Sequence, residues 1–149
     1  MTLIVGGGIS GVCAPISAAR HNAKTALIQN RTVLGGNASS EIRRHICGAE
    51  SHGKRSDSRE TGIIEELLLE NRKRNPQHSF SIYDTVLWEK CRFQEGLDLY
   101  LNTHMTAIIT EKDKIKKITT NQLTTEKIST SSSLSLFSVS SDLILSMIL

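Results

Sequence analysis

Glycines 6, 8 and 11 stand in a G-x-G-x-x-G spacing directly behind the apolar run Leu3-Ile4-Val5. That arrangement suits the binding of a diphosphate at the point where a strand turns into a helix. Gly6 would let the chain turn sharply out of the strand. Gly8 has no Cβ to hold a diphosphate away from the backbone, and Gly11 would let the helix pack close to the strand. The N–H groups of Ile9, Ser10 and Gly11 would then open the helix with no partners inside it. They are assisted by the positive end of the helix dipole, worth about 0.3–2 kcal/mol. Such a spacing also occurs in plain loops, so its weight depends on the elements around it.

Those elements are of the right kind. A helix is predicted from Ser10 to His21, with Arg20 and His21 in the last turn, where the dipole favours cations, and Asn22 as a left-handed terminating residue. The run from Lys24 to Gln29 reads as a second, buried parallel strand, completing one βαβ unit. A dinucleotide site usually places a carboxylate roughly 20 residues after the glycines to accept from a ribose hydroxyl. Gln29 stands there instead, followed by Asn30 and Arg31. The Gln29 amide can still accept a hydrogen bond, without charge assistance. Arg31 can reach a phosphate or a ribose edge, so a 2′-phosphate partner stays open.

A second glycine pair follows in Leu34-Gly35-Gly36-Asn37-Ala38-Ser39-Ser40-Glu41. Together with the runs 6–11, 26–29, 45–49 (HICGA), 60–67 (ETGIIEEL), 79–87 and 99–104 (LYLNTH), it resembles one family of bacterial flavoproteins. These are the FAD-dependent oxidoreductases of the two-dinucleotide-binding-domain type, in the heterodisulfide-reductase-like group. The resemblance covers about residues 3–128, and its most specific phrase is LGGNASSEIR. It implies an α/β fold: the amino-terminal part of a Rossmann-like FAD-binding domain, with a parallel sheet, helices on both faces and a small antiparallel β-meander. It implies FAD as cofactor, held by Gly6, Gly8, Ile9, Ser10, Gly11, Gln29, Asn30, Arg31, Gly35, Gly36, Asn37, Ser39 and, through its backbone at the adenine, Met105. Asn37 and Ser39 read equally well as turn formers. Some relatives carry a 4Fe-4S cluster, but Cys13, Cys47 and Cys91 are scattered and form no C-x₂-C, so that cofactor is not carried over. Pro15 departs from the family, which uses a small helix former there. It deletes the hydrogen bond to the Gly11 carbonyl and crowds it, at a cost of about 3 kcal/mol.

The remaining residues set bounds. His45, Cys47 and His52 match no zinc spacing and read as loop residues, and no metal is expected. Eighteen basic against fifteen acidic residues, scattered, exclude a nucleic-acid or membrane surface as the main theme. Three dispersed cysteines and no export signal point to the cytoplasm. A helix is predicted over 62–74, another capped by Ser81 or Asp84 and running through Cys91, and an alternating strand at Leu97, Leu99 and Leu101. The resemblance implies a strand over 99–106 passing the adenine, and the pattern predicts meander strands over 107–111, 115–120 and 122–127 with a first turn at 112–114.

The Cys-Thr-Gly-Asp-Gly motif that follows the meander in the family is absent. From residue 129 the chain is Ser-rich and apolar, and is expected to be a poorly ordered or non-native tail, from truncation or frameshift of a longer parent. The expected domains are therefore 1–128, a partial FAD domain, and 129–149, the tail. The function by resemblance is that of an FAD-dependent oxidoreductase acting on an unknown small molecule, with no independent turnover by this piece. Open alternatives are an NAD(P)-linked enzyme fragment and a non-catalytic nucleotide-binding or interaction module.

Overall fold

The computed structural model describes residues 1–47, 58–111, 114–132 and 135–138. It opens with the expected βαβ unit: β1 (Thr2–Val5), α1 (Ile9–Arg20) and β2 (Thr25–Ile28), with β1 and β2 parallel and Thr2 opposite Thr25. Helix α1 turns Val12, Ile16 and Ala19 toward the sheet, one stripe at the helical repeat. It ends in a Schellman arrangement. Asn22 takes φ 63°, its N–H donates to the Ala19 carbonyl at 2.9 Å, and the Ala23 N–H reaches back to Ala18 at 3.0 Å. Pro15 is buried inside α1, which runs through it without a break.

Two further helices, α2 (Gly62–Arg74) and α3 (Phe80–Arg92), lead to β3 (Leu97–Tyr100), which pairs in parallel with the outer edge of β2. A single 3₁₀ turn at Gly36–Ala38 lies between β2 and α2. The antiparallel meander comprises β4 (Thr103–Glu111), β5 (Lys114–Gln122) and β6 (Lys127–Ser132). Last comes β7 (Ser135–Ser138), parallel to β1, giving the sheet order β3-β2-β1-β7. Residues 133–134 and 139–149 of the anticipated tail lie outside the described residues, as do Lys112 and Asp113 of the first meander turn.

The sheet's two faces are covered differently. Alternation sends Ile4 and Leu27 to one face, where they meet Val12 and Ile16 of α1, Leu67 of α2, and Val86, Leu87 and Cys91 of α3. Leu3, Ala26 and Ile28 go to the other and pack on Ile118, Met105 and Ile115 of the meander. Helices on both faces were the expectation. Among the described residues the three helices share one face and the meander covers the other, because Ile118 and its neighbours supply the apolar patch that Leu3 and Ile28 need.

Two strand expectations are also corrected. Residues 99–106 are not one strand: the chain breaks at Asn102, which takes φ 52° and donates its N–H to Arg31 at 3.1 Å, so the backbone leaves one sheet for the other. The third meander strand begins at Lys127 because 123–126 form the turn. There Gln122 Oε1 accepts from the Thr125 N–H at 2.7 Å and hydroxyl at 2.9 Å, and Glu126 takes φ 53°.

Ion pairs tie the helices together at their exposed ends. Arg20 of α1 donates to both carboxylate oxygens of Glu66 on α2 at 2.7 and 2.9 Å, and Lys90 of α3 joins the same carboxylate at 2.9 Å. The Arg20 guanidinium above all, then Lys90, holds the Glu66 carboxyl down at about 2.

Candidate functional site

The site is built where the first glycine turn meets the second. Gly6 takes φ 107°, which turns the chain out of β1, and its N–H donates to the Ile28 carbonyl at 2.9 Å. Gly7 is buried and walled in. A Cβ there would lie 2.6 Å from Leu34 Cδ2 and 3.1 Å from two Gln29 side-chain carbons. Its carbonyl accepts from the Gly35 N–H at 2.7 Å, and Gly8 and Gly35 pair as an isolated parallel bridge. Gly36 also packs against Gly8: a Cβ on Gly36 would sit 3.2 Å from the Gly8 Cα. The two glycine segments thus form one double-walled backbone corner that side chains could not enter.

Gly8 is the exception. A Cβ there would meet nothing within 4 Å, so the mouth of α1 faces open space. Gly8 is also the N-cap of α1. The helix start carries no side-chain cap and no acidic residue in its first turn, leaving the dipole uncompensated. The surroundings fit a dinucleotide: bare main chain on one side, a helix N-terminus behind it, and room in front.

The structure brings Gly6, Gly8, Ile9, Gly35, Gly36 and Gln29 into this corner. Gln29 is buried and its amide works within the chain: Oε1 accepts from the Gly7 N–H at 2.9 Å, and Nε2 donates to the Val33 carbonyl at 3.1 Å. Ser39 is likewise turned inward. Its hydroxyl donates to the Gly36 carbonyl at 2.7 Å and accepts from the Glu41 N–H at 3.3 Å, the geometry of a turn former. Ser10, Asn30 and Asn37 are exposed, and Gly11 is buried in the first turn of α1. Arg31, also exposed, is ion-paired with Glu41. Met105 lies on β4, its side chain packed behind the sheet, beside a register shift between Met105 and Ala107.

Sequence reasoning overlooked Gly7, whose lack of a side chain is the most sterically enforced of the cluster. It also overlooked Val33 and Leu34, which close the corner. Three consecutive glycines were the signal for Gly7, but for Val33 and Leu34 no local pattern existed. Asp84 is a helical residue whose carboxylate accepts from the Ser40 N–H at 3.0 Å, anchoring the second glycine turn to α3 rather than capping that helix.

A different cleft, of about 120 Å³, is lined by residues including Ala38, Ile46, Leu68, Asn75, Phe80 and Tyr83. None of the glycines of the corner lines it. Burial pushes the Tyr83 hydroxyl and the Cys13 thiol up, and the Cys91 thiol to about 12, so these groups stay protonated at neutral pH. His45 stacks at a tilt on Phe80, and Cys47 is exposed. Among the described residues no three metal-binding side chains converge, and His52 lies outside them.

A parallel sheet backed by a β-meander, with an open helix mouth at a glycine turn, defines a dinucleotide-binding domain of the flavoprotein kind. The comparisons make this specific: the model of the FAD dependent oxidoreductase family matches residues 2–134, and the chain belongs to that family. A search of curated proteins found no match. Among solved structures the chain is similar to the glycerol-3-phosphate dehydrogenase from Bacillus halodurans complexed with FAD, at 13% identity and TM-score 0.57, covering 92% of this chain and 34% of that one. It is similar to a flavin-dependent monooxygenase in complex with FAD and substrate, at 14% identity and TM-score 0.54, covering 91% and 29%. A p-nitrophenol 4-monooxygenase from Pseudomonas putida matches at 12% identity and TM-score 0.54, covering 92% and 40%. The chain therefore spans well under half the length of these proteins. Among the described residues no helix is long and apolar enough to cross a membrane.

Proposed function

We propose that the chain holds the ADP and diphosphate part of FAD in the corner between Gly6–Gly11 and Gly35–Gly36, as the amino-terminal portion of an oxidoreductase. The observation that carries this reading is the open space in front of Gly8, at an uncapped helix start, beside glycines packed too tightly for any side chain. Bound there, the flavin would supply the electron transfer, and the protein would supply position and electrostatics. The chain's own residues would do three things. The N–H groups opening α1 would donate to phosphate oxygens, the helix dipole would offset their charge, and the Gly35–Gly36 wall would bound the space in front of them. Exposed Asn30 and Arg31, which follow β2, are the proposed ribose contacts, and the Met105 backbone is the proposed adenine contact. Membership of the heterodisulfide-reductase-like group is proposed from the phrase LGGNASSEIR.

These 149 residues are proposed not to turn over alone. The similar solved proteins devote most of their length to parts with no counterpart here. The test is reconstitution: purified protein incubated with FAD, desalted, and read for flavin absorbance near ~450 nm. Retained colour with quenched flavin fluorescence is expected. Colourless protein that binds NADH instead would replace this reading with a nicotinamide-linked one, and binding of neither would favour an interaction module.

A further inference from the structure

We propose that Gln29 is a positioning residue that latches the first glycine turn to the second, rather than a ligand to the cofactor's ribose. This rests on the FAD reading above. The residue is only 5% exposed and is fixed on four sides. Its backbone N–H donates to Tyr100 at 2.8 Å and its carbonyl accepts from Thr103 at 2.9 Å, so the backbone cannot swing. Its amide then divides its two functions. Oε1 accepts from the Gly7 N–H at 2.9 Å and Nε2 donates to the Val33 carbonyl at 3.1 Å. Gly7 is buried, so without Oε1 its N–H would be a buried donor with no partner. With the Gly35 N–H on the Gly7 carbonyl, both backbone groups of Gly7 are tied down. The latch therefore sets the distance between the two walls of the corner.

Glutamine is the residue this geometry demands. An ionised glutamate could accept from Gly7 but would face the Val33 carbonyl with a lone pair, and a methionine would fill the space with no hydrogen bond. The amide bonds Gly7 and Val33, and Leu34 lies beside it against Gly7. Tyr100 and Thr103 offer their main chains, the Tyr100 side chain being half-exposed, and the charged neighbours Arg31 and Glu41 pair with each other.

The experiment compares the full chain with Gln29→Glu and Gln29→Met, measuring FAD affinity by flavin fluorescence and the melting temperature of the FAD-free protein at pH 8 and pH 5, each relative to the unsubstituted chain. At pH 8 both variants should bind FAD about tenfold more weakly and melt lower without FAD. At pH 5 the buried carboxyl of Gln29→Glu regains a proton and can donate to Val33, so that variant alone should recover affinity and melting temperature. Tighter FAD binding by Gln29→Glu at pH 8, with unchanged FAD-free melting, is the behaviour of a ribose ligand and would overturn the latch. If the unsubstituted chain takes up no FAD, the FAD reading fails, while the FAD-free melting pattern still decides the latch. Should the variants not fold, hydrogen exchange of the Gly7 amide in the unsubstituted chain decides it: slow exchange supports the latch and rapid exchange refutes it.

Discussion

Alanine at Gly7 and alanine at Gly8 are one methyl each, one residue apart, and should act on different properties. At Gly7 the new Cβ would sit 2.6 Å from Leu34 Cδ2 and 3.1 Å from Gln29, and Leu34 is itself only 1% exposed, so the corner must open to admit it. Over-packing of this sort costs about 1–3 kcal/mol, which for a chain of this size lowers the melting temperature by about 3–10 °C. At Gly8 the backbone has φ −64° and ψ 177°, which alanine adopts freely, and the Cβ touches nothing within 4 Å. Reduced freedom of the unfolded chain contributes about 0.4–1 kcal/mol of stabilisation, against a similar loss at the N-cap. The FAD-free protein should therefore melt within about 4 °C of the original. Binding is where Gly8→Ala should tell. The methyl occupies the space a diphosphate must enter, and FAD affinity should fall tenfold or more, about 1.4 kcal/mol. Differential scanning fluorimetry without FAD and fluorescence titration with it give both numbers. A Gly8→Ala protein that binds FAD as tightly as the original refutes the placement of the diphosphate. One that melts as low as Gly7→Ala refutes the geometry of the turn.

Pro15→Ala should raise the melting temperature, because it restores a donor to the Gly11 carbonyl and removes the ring that crowds it. The gain is at most about 3 kcal/mol, reduced by the packing the buried ring now provides, and unchanged or lower thermal stability would contradict it. Glu66 is ionised in the folded protein down to about pH 2 by Arg20 and Lys90, against an ordinary value of 4.5. Its contribution is complete above pH 4.5 and disappears as pH falls toward 2; the pair is a third or more exposed, so screening limits it to about 1 kcal/mol. Glu66→Gln should accordingly lower the melting temperature at pH 6 and leave it nearly unchanged near pH 2, and an equal effect at both would refute the ion-pair account. Among the thiols, exposed Cys47 should react with iodoacetamide at pH 8 well before Cys91, whose burial keeps it protonated to about 12; mass mapping of the labelled peptides checks the order.

The parts of the fold that local rules control were legible. Apolar runs located β1 and β2, the glycine spacing located the start of α1, the helical period located the helix at 62–74, and Asn22 marked the end of α1 because few side chains tolerate its conformation. The corner's two glycine segments were legible as motifs, but their contact was not: nothing in the spacing says that Gly36 comes to rest against the Gly8 Cα. The position of Gln29 directly after β2 suits a ribose acceptor, which is all the sequence can say of it. Its engagement depends on Val33 folding back beneath it, a tertiary fact. The break at Asn102 is hidden because Leu99, Leu101 and Thr103 continue the alternation straight through it. The face covered by the meander is hidden because Ile118 and Met105 carry no mark of their partner.

The pairing of Thr2 with Ser135 gives the chain a timing problem. Strand β1 leaves the ribosome shortly before β2, its neighbour on one side. The neighbour on the other side, β7, follows only after about 130 more residues, which at ordinary elongation rates takes on the order of ten seconds. Through that interval the Leu3-Ile4 edge stands open, offering unpaired backbone to any passing strand. Successful production of this protein should therefore depend on rapid synthesis or chaperone supply more than its short strands and helices suggest.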